Sequence, residues 1–298
     1  MSDFGSRILV TGANGFVGRC LVAHLVAQGH TVRAVQRRGQ RVEGAELIEI
    51  PDFTTYSDWE AALTGVRSVI HVAGIINVAP EQDAGPEMMR VNRDLTRILA
   101  ERSAAHGVER FIFLSSMSVF GAQQADTILR PNTQVIPDGP YPESKYAGEQ
   151  AVEMAAVGTD MKCINVRPPM VVGQGTKGTF YTMSRALARV GISPFGRFDS
   201  PYPIVSLQLL CKSIAALATH PDVEGGVYMP QEMTTECLPS IIDTIATVDG
   251  RTRPRHLRIP RPIVSWMMRA IGRGAIFEHV TGGLRVSDPR MENLSKGL

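Results

Sequence analysis

Residues Arg7–Gly18 read RILVTGANGFVG. Ile8, Leu9 and Val10 form a short apolar run of the kind that a fully buried parallel strand shows. Thr11 and Gly12 end it. Phe16, Val17, Leu21, Val22 and Leu25 then recur at helical spacing up to Gly29. Gly12, Gly15 and Gly18 therefore lie on a strand–turn–helix junction, with Asn14 in the turn. A dinucleotide's pyrophosphate can rest on a helix N-terminus at such a place. Gly12 allows the tight turn, Gly15 lets phosphates approach the backbone, and Gly18 lets the helix pack close to the strand. The competing reading is a glycine-rich turn without a ligand; the strand-to-helix context favours the ligand.

The pattern continues outward. Thr31–Gln36 (TVRAVQ) reads as a second strand, followed directly by Arg37 and Arg38. In a dinucleotide fold this strand end faces the adenosine ribose, where an acid would accept from a free 2′-hydroxyl. Two guanidinium groups suit a 2′-phosphate, which points to NADP, with NAD as the alternative. The other reading of Arg37, Arg38 and Arg41 is a solvated basic turn. Ala45–Ile50 is a third strand ending at Pro51-Asp52-Phe53. Asp52 is placed to accept from an adenine amino group with Phe53 against the ring, or it is an ordinary turn aspartate. Tyr56–Leu63 reads as a short helix closed by Gly65. Ser68–Val72 reads as a fourth strand, followed by Ala73 and Gly74, which are small enough for a cofactor to cross the sheet edge. His71 reads as a packed strand histidine. Ala84–His106 carries a long helical pattern closed at Gly107. Asn92 inside it is a cofactor contact or a polar surface residue. Glu109–Leu114 is a fifth strand. Strands alternating with helices in this way imply right-handed crossovers and a doubly wound parallel sheet, an α/β fold. Ligands bind at the carboxyl ends of its strands, which places Ser115-Ser116-Met117-Ser118 at the site.

Ala122–Pro140 contains Pro131, Pro137, Gly139 and Pro140 and reads as a long ordered loop. Tyr141-Pro142-Glu143-Ser144-Lys145 then opens a helical pattern, with Pro142 suited to its first turn. Met161–Val166 is a sixth strand ending at Arg167-Pro168-Pro169. Beyond it the composition changes. Gly173–Gly178 is glycine-rich, and Thr179–Val190, Pro239–Val248 and Pro262–Ile271 look helical. Ile204–Val205 with the helix Leu207–Thr219, and Gly226–Met229, are candidates to rejoin the sheet. The expected division is a dinucleotide-binding part over 1–170, rejoined by 203–222, and a small substrate lobe over 171–298. The cleft between them is a usual place for a substrate.

Bulk properties narrow the classes. The chain has 298 residues, 44% hydrophobic and 20% charged, enough for an ordinary soluble core. A net charge of +2 argues against a dedicated nucleic-acid binder. Cys20, Cys163, Cys211 and Cys237 form no CxxC pair, so neither a disulfide framework nor a zinc site is expected. No run reaches the roughly 18 apolar residues of a membrane helix, and the start shows no charged-then-apolar leader. The expectation is a cytoplasmic protein with no membrane partner.

One constellation carries chemistry. A tyrosine with a pKa near 10 is a poor acid–base group at neutral pH. A lysine ammonium beside it is expected to stabilise the phenolate and lower that pKa. Tyr141 and Lys145 are four residues apart and share a helix face. Tyr141 could then exchange a proton with a substrate oxygen while hydride moves at the adjacent carbon. Ser116 supplies a hydroxyl to position and polarise the same oxygen.

TGANGFVG (Thr11–Gly18), SSMSVFG (Ser115–Gly121), YPESK (Tyr141–Lys145) and RPPMVVGQG (Arg167–Gly175) together resemble the extended short-chain dehydrogenase/reductases, the NAD-dependent epimerase/dehydratase family. The resemblance spans nearly the whole chain and is strongest before Gly175. It implies a Rossmann-type sheet of strand order 3-2-1-4-5-6-7 with a C-terminal substrate lobe. It implies a catalytic set of Ser116, Tyr141 and Lys145, with Tyr141 and Lys145 also touching the nicotinamide ribose side. Phe16, Val17, Pro168 and Val171 join the cofactor set on the same ground. So does a homodimer through the helices at Ala84–His106 and Glu143–Val157. KGTF (Lys177–Phe180), PFGRF (Pro194–Phe198) and TGGLRVSDPRMENL (Thr281–Leu294) look most like reductases of UDP-4-keto-6-deoxy-HexNAc sugars. Ser116, Met117, Ser118, Tyr141, Thr179, Phe180 and Arg197 are then the substrate candidates. Thr179 stands where those relatives usually have asparagine. Arg185, Arg189, Arg197, Arg251 and Arg253 are candidates to meet a diphosphate, or are solvated surface charge. The implied activity is NADP(H)-dependent reduction of a keto group on a nucleotide-linked sugar. A nucleotide-sugar 4-epimerase, a reductase of a small aldehyde or ketone, and an NADP-binding sensor or structural subunit are the alternatives.

Overall fold

The first strand, β1 (Arg7–Thr11), lies in the interior of the central sheet. Ile8 and Val10 face one side of it and Leu9 the other, and all three are buried, as the unbroken apolar run requires. The computed structural model describes residues 7–37, 42–52, 55–56, 58–76, 84–121, 127–176, 178–232, 236–270, 272, 274, 277 and 281–295. Around β1 lie β2 (Val32–Gln36), β3 (Glu46–Glu49), β4 (Val66–His71), β5 (Arg110–Leu114), β6 (Lys162–Val166) and β7 (Gly226–Tyr228). Their order across the sheet is 3-2-1-4-5-6-7 and every neighbouring pair is parallel.

Helices cover both faces. On one side α1 (Phe16–Ala27) and, late in the chain, the helix Leu207–Thr219 bury Leu21, Leu25, Leu210 and Ile214 against Ile8, Val10, Ile70 and Ile112. On the other side α2 (Trp59–Leu63), the long segment after β4 and α5 bury Trp59, Leu99 and Val152 against Leu9, Val69, Phe111 and Phe113. That long segment is not one regular helix. It runs as α3 (Ala84–Met89), a π-helical turn over Arg90–Asp94, and α4 (Leu95–Ala105). The helix α5 spans Pro140–Ala156, starting one residue before Tyr141.

Two expectations need correction. Ile204–Ser206 does not enter the central sheet; it pairs in parallel with Met170–Val172 beside it, while Gly226–Tyr228 takes the seventh place. The stretch expected as a loop before Tyr141 holds a strand, Thr127–Leu129, which pairs with Leu284–Val286. Its partner is far away in sequence, so no local pattern announces it.

The lobe is made of α6 (Thr179–Val190), α8 (Leu238–Val248), α9 (Arg261–Ala270) and short strand pairs, while α7 (Leu207–Thr219) stays packed on the sheet. Its core collects Tyr181, Phe195, Phe198, Ile241, Ile245 and Val264, and shares Met117, Val119 and Phe120 with the turn after β5. The lobe core is thus continuous with the end of the sheet.

Candidate active site

The glycine turn is built as its sequence requires. Gly12 sits at φ +66°, and a Cβ there would lie 2.8 Å from the backbone of Ala73. A Cβ on Gly18 would overlap the backbone of Gly12, so the helix can approach β1 only because Gly18 has no side chain. Gly15 is the N-cap of α1, has no side-chain cap, and is followed by no acid in the first turn. Free N–H groups and a positive helix end therefore face the turn.

These residues open into a cavity of about 480 Å3, ordinary for a ligand pocket. Gly12, Asn14, Gly15, Arg37, Asp52, Ala73 and Gly74 line it, as the sequence suggested. Arg38 and Phe53 lie outside the described residues. Phe16, Val17, Gly18, Pro168 and Val171 are not in the lining; Val17 and Val171 pack on the sheet core behind it. The lining also contains Gln36, Ile75, Glu87 and Arg90, which sequence reasoning did not single out. Arg90 donates to both Glu87 oxygens at 2.8 Å, and an acid and a base three apart on a helix was the signal available. The glycine cradle, the uncapped helix end and the cavity together fit a dinucleotide.

Asn92 is fully buried and braces the cavity rim instead of facing it. Its Oδ1 accepts from Ile75 N at 2.9 Å, while Nδ2 donates to Ile75 O at 2.9 Å and Ser144 Oγ at 3.0 Å. Ser144 in turn donates to Tyr141 O at 2.8 Å. The loop after β4 is thereby tied to the start of α5. The π-helical turn is the place where Asn92 leaves the ordinary helical ladder.

His71 is buried between two threonines, 2.6 Å from Thr11 Oγ1 and 3.0 Å from Thr96 Oγ1. Thr96 gives its proton to Asn92 O at 2.8 Å, so it accepts from His71 Nε2, and Nδ1 accepts from Thr11. Burial, and then the charge of Lys145, hold the imidazole neutral with a pKa of about 3. It is the packed histidine that the sequence suggested.

Ser116, Tyr141 and Lys145 are not in the cavity lining; they stand together beyond Gly74. Ser116 is the N-cap of a short 3-10 turn, Met117–Phe120, and its Oγ accepts from Ser118 N at 3.1 Å. The Ser116 hydroxyl is near enough to the Tyr141 phenol to act on it. One helical turn on, Lys145 is buried with Nζ 4.2 Å from the centre of the Phe113 ring. A side chain on Gly74 would lie 3.0 Å from Asn92 Oδ1 and 3.5 Å from Lys145 Nζ, so this cluster adjoins the cavity. The hydroxyls of Ser115 and Ser118 are buried with no partner.

The electrostatics differ from the sequence expectation. Burial raises the Tyr141 phenol above its ordinary value, and the Ser116 hydroxyl only partly offsets this. Burial drives Lys145 down to about 7, with the carboxylate of Glu149 pulling it back up. Glu149 is itself locked to Arg167 by two bonds of 2.9 and 2.6 Å, and Arg167 lies over Phe120. In this chain desolvation governs the phenol, and Ser116 rather than the ammonium is what opposes it.

Among the lobe candidates, Phe180 is partly buried on the lobe core, and Arg197 is exposed with its carbonyl accepting from Arg261. Thr179 opens α6, and its side chain lies outside the described residues. Arg185 is engaged by Asp249 at 2.7 Å, whose other oxygen accepts from Tyr181 at 2.6 Å. No group of three or more metal-ligating side chains occurs among the described residues, and no described helix is long and apolar enough to cross a membrane.

The sequence model of the family described as NAD dependent epimerase/dehydratase matches residues 8–205. A UDP-glucose 4-epimerase of Vibrio cholerae is 27% identical over 287 residues, covering 94% of this chain and 86% of that one. A 3 beta-hydroxysteroid dehydrogenase/Delta 5-->4-isomerase of Mycobacterium tuberculosis is 27% identical over 278 residues, 88% of this chain and 74% of that one. In structure the chain is similar to MoeE5 in complex with UDP-glucose and NAD, with a TM-score of 0.74 and 21% identity over 98% of this chain and 92% of that one.

Proposed function

This chain belongs to the NAD dependent epimerase/dehydratase family, and we propose that it is an oxidoreductase that reduces the 4-keto group of a UDP-linked deoxy sugar with NADPH. The observation that carries this reading is the grouping of Ser116, Tyr141 and Lys145 next to Gly74, which lines a cavity that also holds a glycine cradle on a helix N-terminus. Gly12, Gly15, Ala73 and Gly74 would hold the cofactor's backbone-facing parts, and Lys145 its nicotinamide ribose. When bound, that cofactor supplies a hydride to the carbonyl carbon.

The chain's own residues do the rest. Ser116 donates a hydrogen bond to the carbonyl oxygen and polarises it. Tyr141, held protonated by its burial, delivers its proton to that oxygen as negative charge develops there. Lys145 lies on the same helix face and offsets the charge left on the phenolate. The lobe, residues 171–298 with Phe180 and Arg197, covers the sugar nucleotide, and 1–170 carries the cofactor.

Arg37 is the reason for preferring NADP(H): it lines the cavity at the end of β2, where an acid would select NAD. Net reduction follows from that choice, because a site that reads the 2′-phosphate draws on the reducing pool and exchanges cofactor each turn. The second reading is a nucleotide-sugar 4-epimerase, favoured by the Vibrio cholerae relative. The exposed Met154 and Val157 on α5 support pairing of two copies through that helix. The test mixes enzyme, NADPH and a UDP-4-keto-6-deoxy-HexNAc and follows NADPH absorbance with the sugar product. Stoichiometric NADPH loss with one reduced sugar supports the proposal. Interconversion without net loss moves the reading to an epimerase, and no reaction of any nucleotide sugar moves it to a small-carbonyl reductase.

A further inference from the structure

The segment between Asp249 and Glu278 contains no acid. It holds Arg251, Arg253, Arg255, Arg258, Arg261, Arg269 and Arg273, so seven of the chain's 31 basic residues fall here with none of its 29 acids. The remainder of the chain is net negative. Arg253, Arg255, Arg258, Arg261 and Arg269 are exposed.

The helix α9 lies within this segment and carries two apolar stripes. Val264 and Met268, four apart, are buried in the lobe core. Ile263, Trp266, Met267 and Ala270, at helical spacing, form a second stripe that faces solvent, with Ile263 50%, Trp266 71% and Met267 42% exposed. A surface helix normally turns a polar face outward. Here the outward face is apolar, Arg269 stands on one border of it, and the segment leading into the helix is basic.

We propose that α9 docks the protein on anionic lipid bilayers, lying in the interface with Ile263, Trp266 and Met267 in the headgroup boundary. The exposed arginines of the segment leading into α9, Arg253, Arg255 and Arg258, then meet anionic headgroups. An interfacial helix has this make-up: an apolar stripe, flanking basic residues and an aromatic ring with a polar edge. Such a helix rests on the membrane and does not span it, which agrees with the absence of a long apolar helix among the described residues. Other occupants fit less well. A second copy in a two-fold contact would bring the same arginines face to face. Nucleic-acid surfaces are polar and offer nothing for Ile263 and Met267 to bury against. The helix is also held firmly enough to act as a unit. Arg261 donates to Asp199 at 2.9 Å and to Arg197 O at 3.2 Å, and lies over the Phe198 ring.

The inference does not depend on the proposed reaction, and its test needs no substrate. Full-length protein is sedimented with vesicles of phosphatidylcholine alone or with about one third phosphatidylserine. The chain has two tryptophans, and Trp59 is buried, so a shift in fluorescence on vesicles reports Trp266. The expected result is sedimentation and a blue shift with the anionic vesicles only, both lost at high salt. The variant Ile263→Ser/Trp266→Ser/Met267→Ser changes only outward-facing positions and is expected to lose binding at an unchanged melting temperature. Should it not fold, Arg253→Ser/Arg255→Ser/Arg258→Ser serves, each charge removed lowering partitioning by about fivefold. Absence of sedimentation with anionic vesicles overturns the proposal. So does wild-type binding by a folded variant, retention by a single-stranded oligonucleotide in place of vesicles, or conversion of a dimer to a monomer by the α9 variant.

Discussion

The buried cluster around Tyr141 and the open end of the neighbouring cavity treat charge in opposite ways. Around Tyr141, the titratable side chains of His71, Lys145, Glu149 and Arg167 are nearly all out of water, and each has a buried partner. Around Arg37, the charged side chains of Glu87 and Arg90 pair in solvent, with 36% and 45% of their side chains exposed. Burial multiplies electrostatic effects and moves pKa values, whereas exposed pairs are screened and weak. The buried cluster is therefore suited to moving a proton, and the open end to selecting a ligand. Substitutions at the two places should differ in kind as well as in size.

The largest effect belongs to the buried cluster. Tyr141→Phe removes one hydroxyl and nothing of the packing, and kcat is expected to fall by about 10²–10⁴-fold, the usual contribution of an acid–base group. A steady-state assay on the sugar found active reads this directly. An unchanged kcat would mean that cluster and cavity do not divide the work as described.

Next is a pH effect at His71. Its folded pKa lies at about 3 against an ordinary 6.5, so the unfolded chain takes up this proton first as pH falls. The stability tied to the neutral ring is complete above pH 6.5 and is lost as pH drops toward 3. The loss amounts to a few kcal/mol, at about 1.4 kcal/mol per unit. Urea unfolding across that range checks it: His71→Gln should flatten the slope relative to wild type, and parallel slopes would refute the assignment.

At the open end the effect is smaller and falls on affinity. Arg37→Ala should weaken NADP(H) binding by about ten- to hundredfold, the value of one charge-assisted contact of about 1.5–3 kcal/mol. NAD(H) binding should stay as it was. Calorimetric titration of both cofactors would show equal losses if Arg37 is only a solvated turn residue.

Smallest of all is the lobe's Arg185. It is half exposed and already engaged by Asp249, so Arg185→Ala should cost at most about 1 kcal/mol and leave the sugar KM unaltered. A large rise in KM would return Arg185 to the diphosphate site.

The legible parts of this molecule are the local ones. Ile8-Leu9-Val10, the glycine spacing and the apolar period of Leu21 to Leu25 all act within one strand–turn–helix unit, and the structure reproduces that unit, while the strand order it shows is the one the family resemblance implied. Tyr141 and Lys145 were visible for the same reason, as neighbours on one helix face. The unread parts depend on pairings across long separations. Thr127–Leu129 needs Leu284–Val286, Arg185 needs Asp249, and the Arg37 end of the cavity receives Glu87 and Arg90 from a helix beyond β4. The direction of the Tyr141 shift was misjudged because spacing shows which charges are near but not how much water is removed.

The central claim is a division of labour between the cavity and the tyrosine cluster that adjoins it, and a crossed measurement tests it most directly. The cofactor dissociation constants and kcat are determined together for wild type, Tyr141→Phe and Arg37→Ala. The account predicts that Tyr141→Phe loses kcat while keeping NADPH affinity, and that Arg37→Ala loses NADPH affinity while keeping kcat at saturating cofactor. If both variants lose both quantities together, or if Arg37→Ala lowers kcat at saturation as much as Tyr141→Phe does, the account is contradicted.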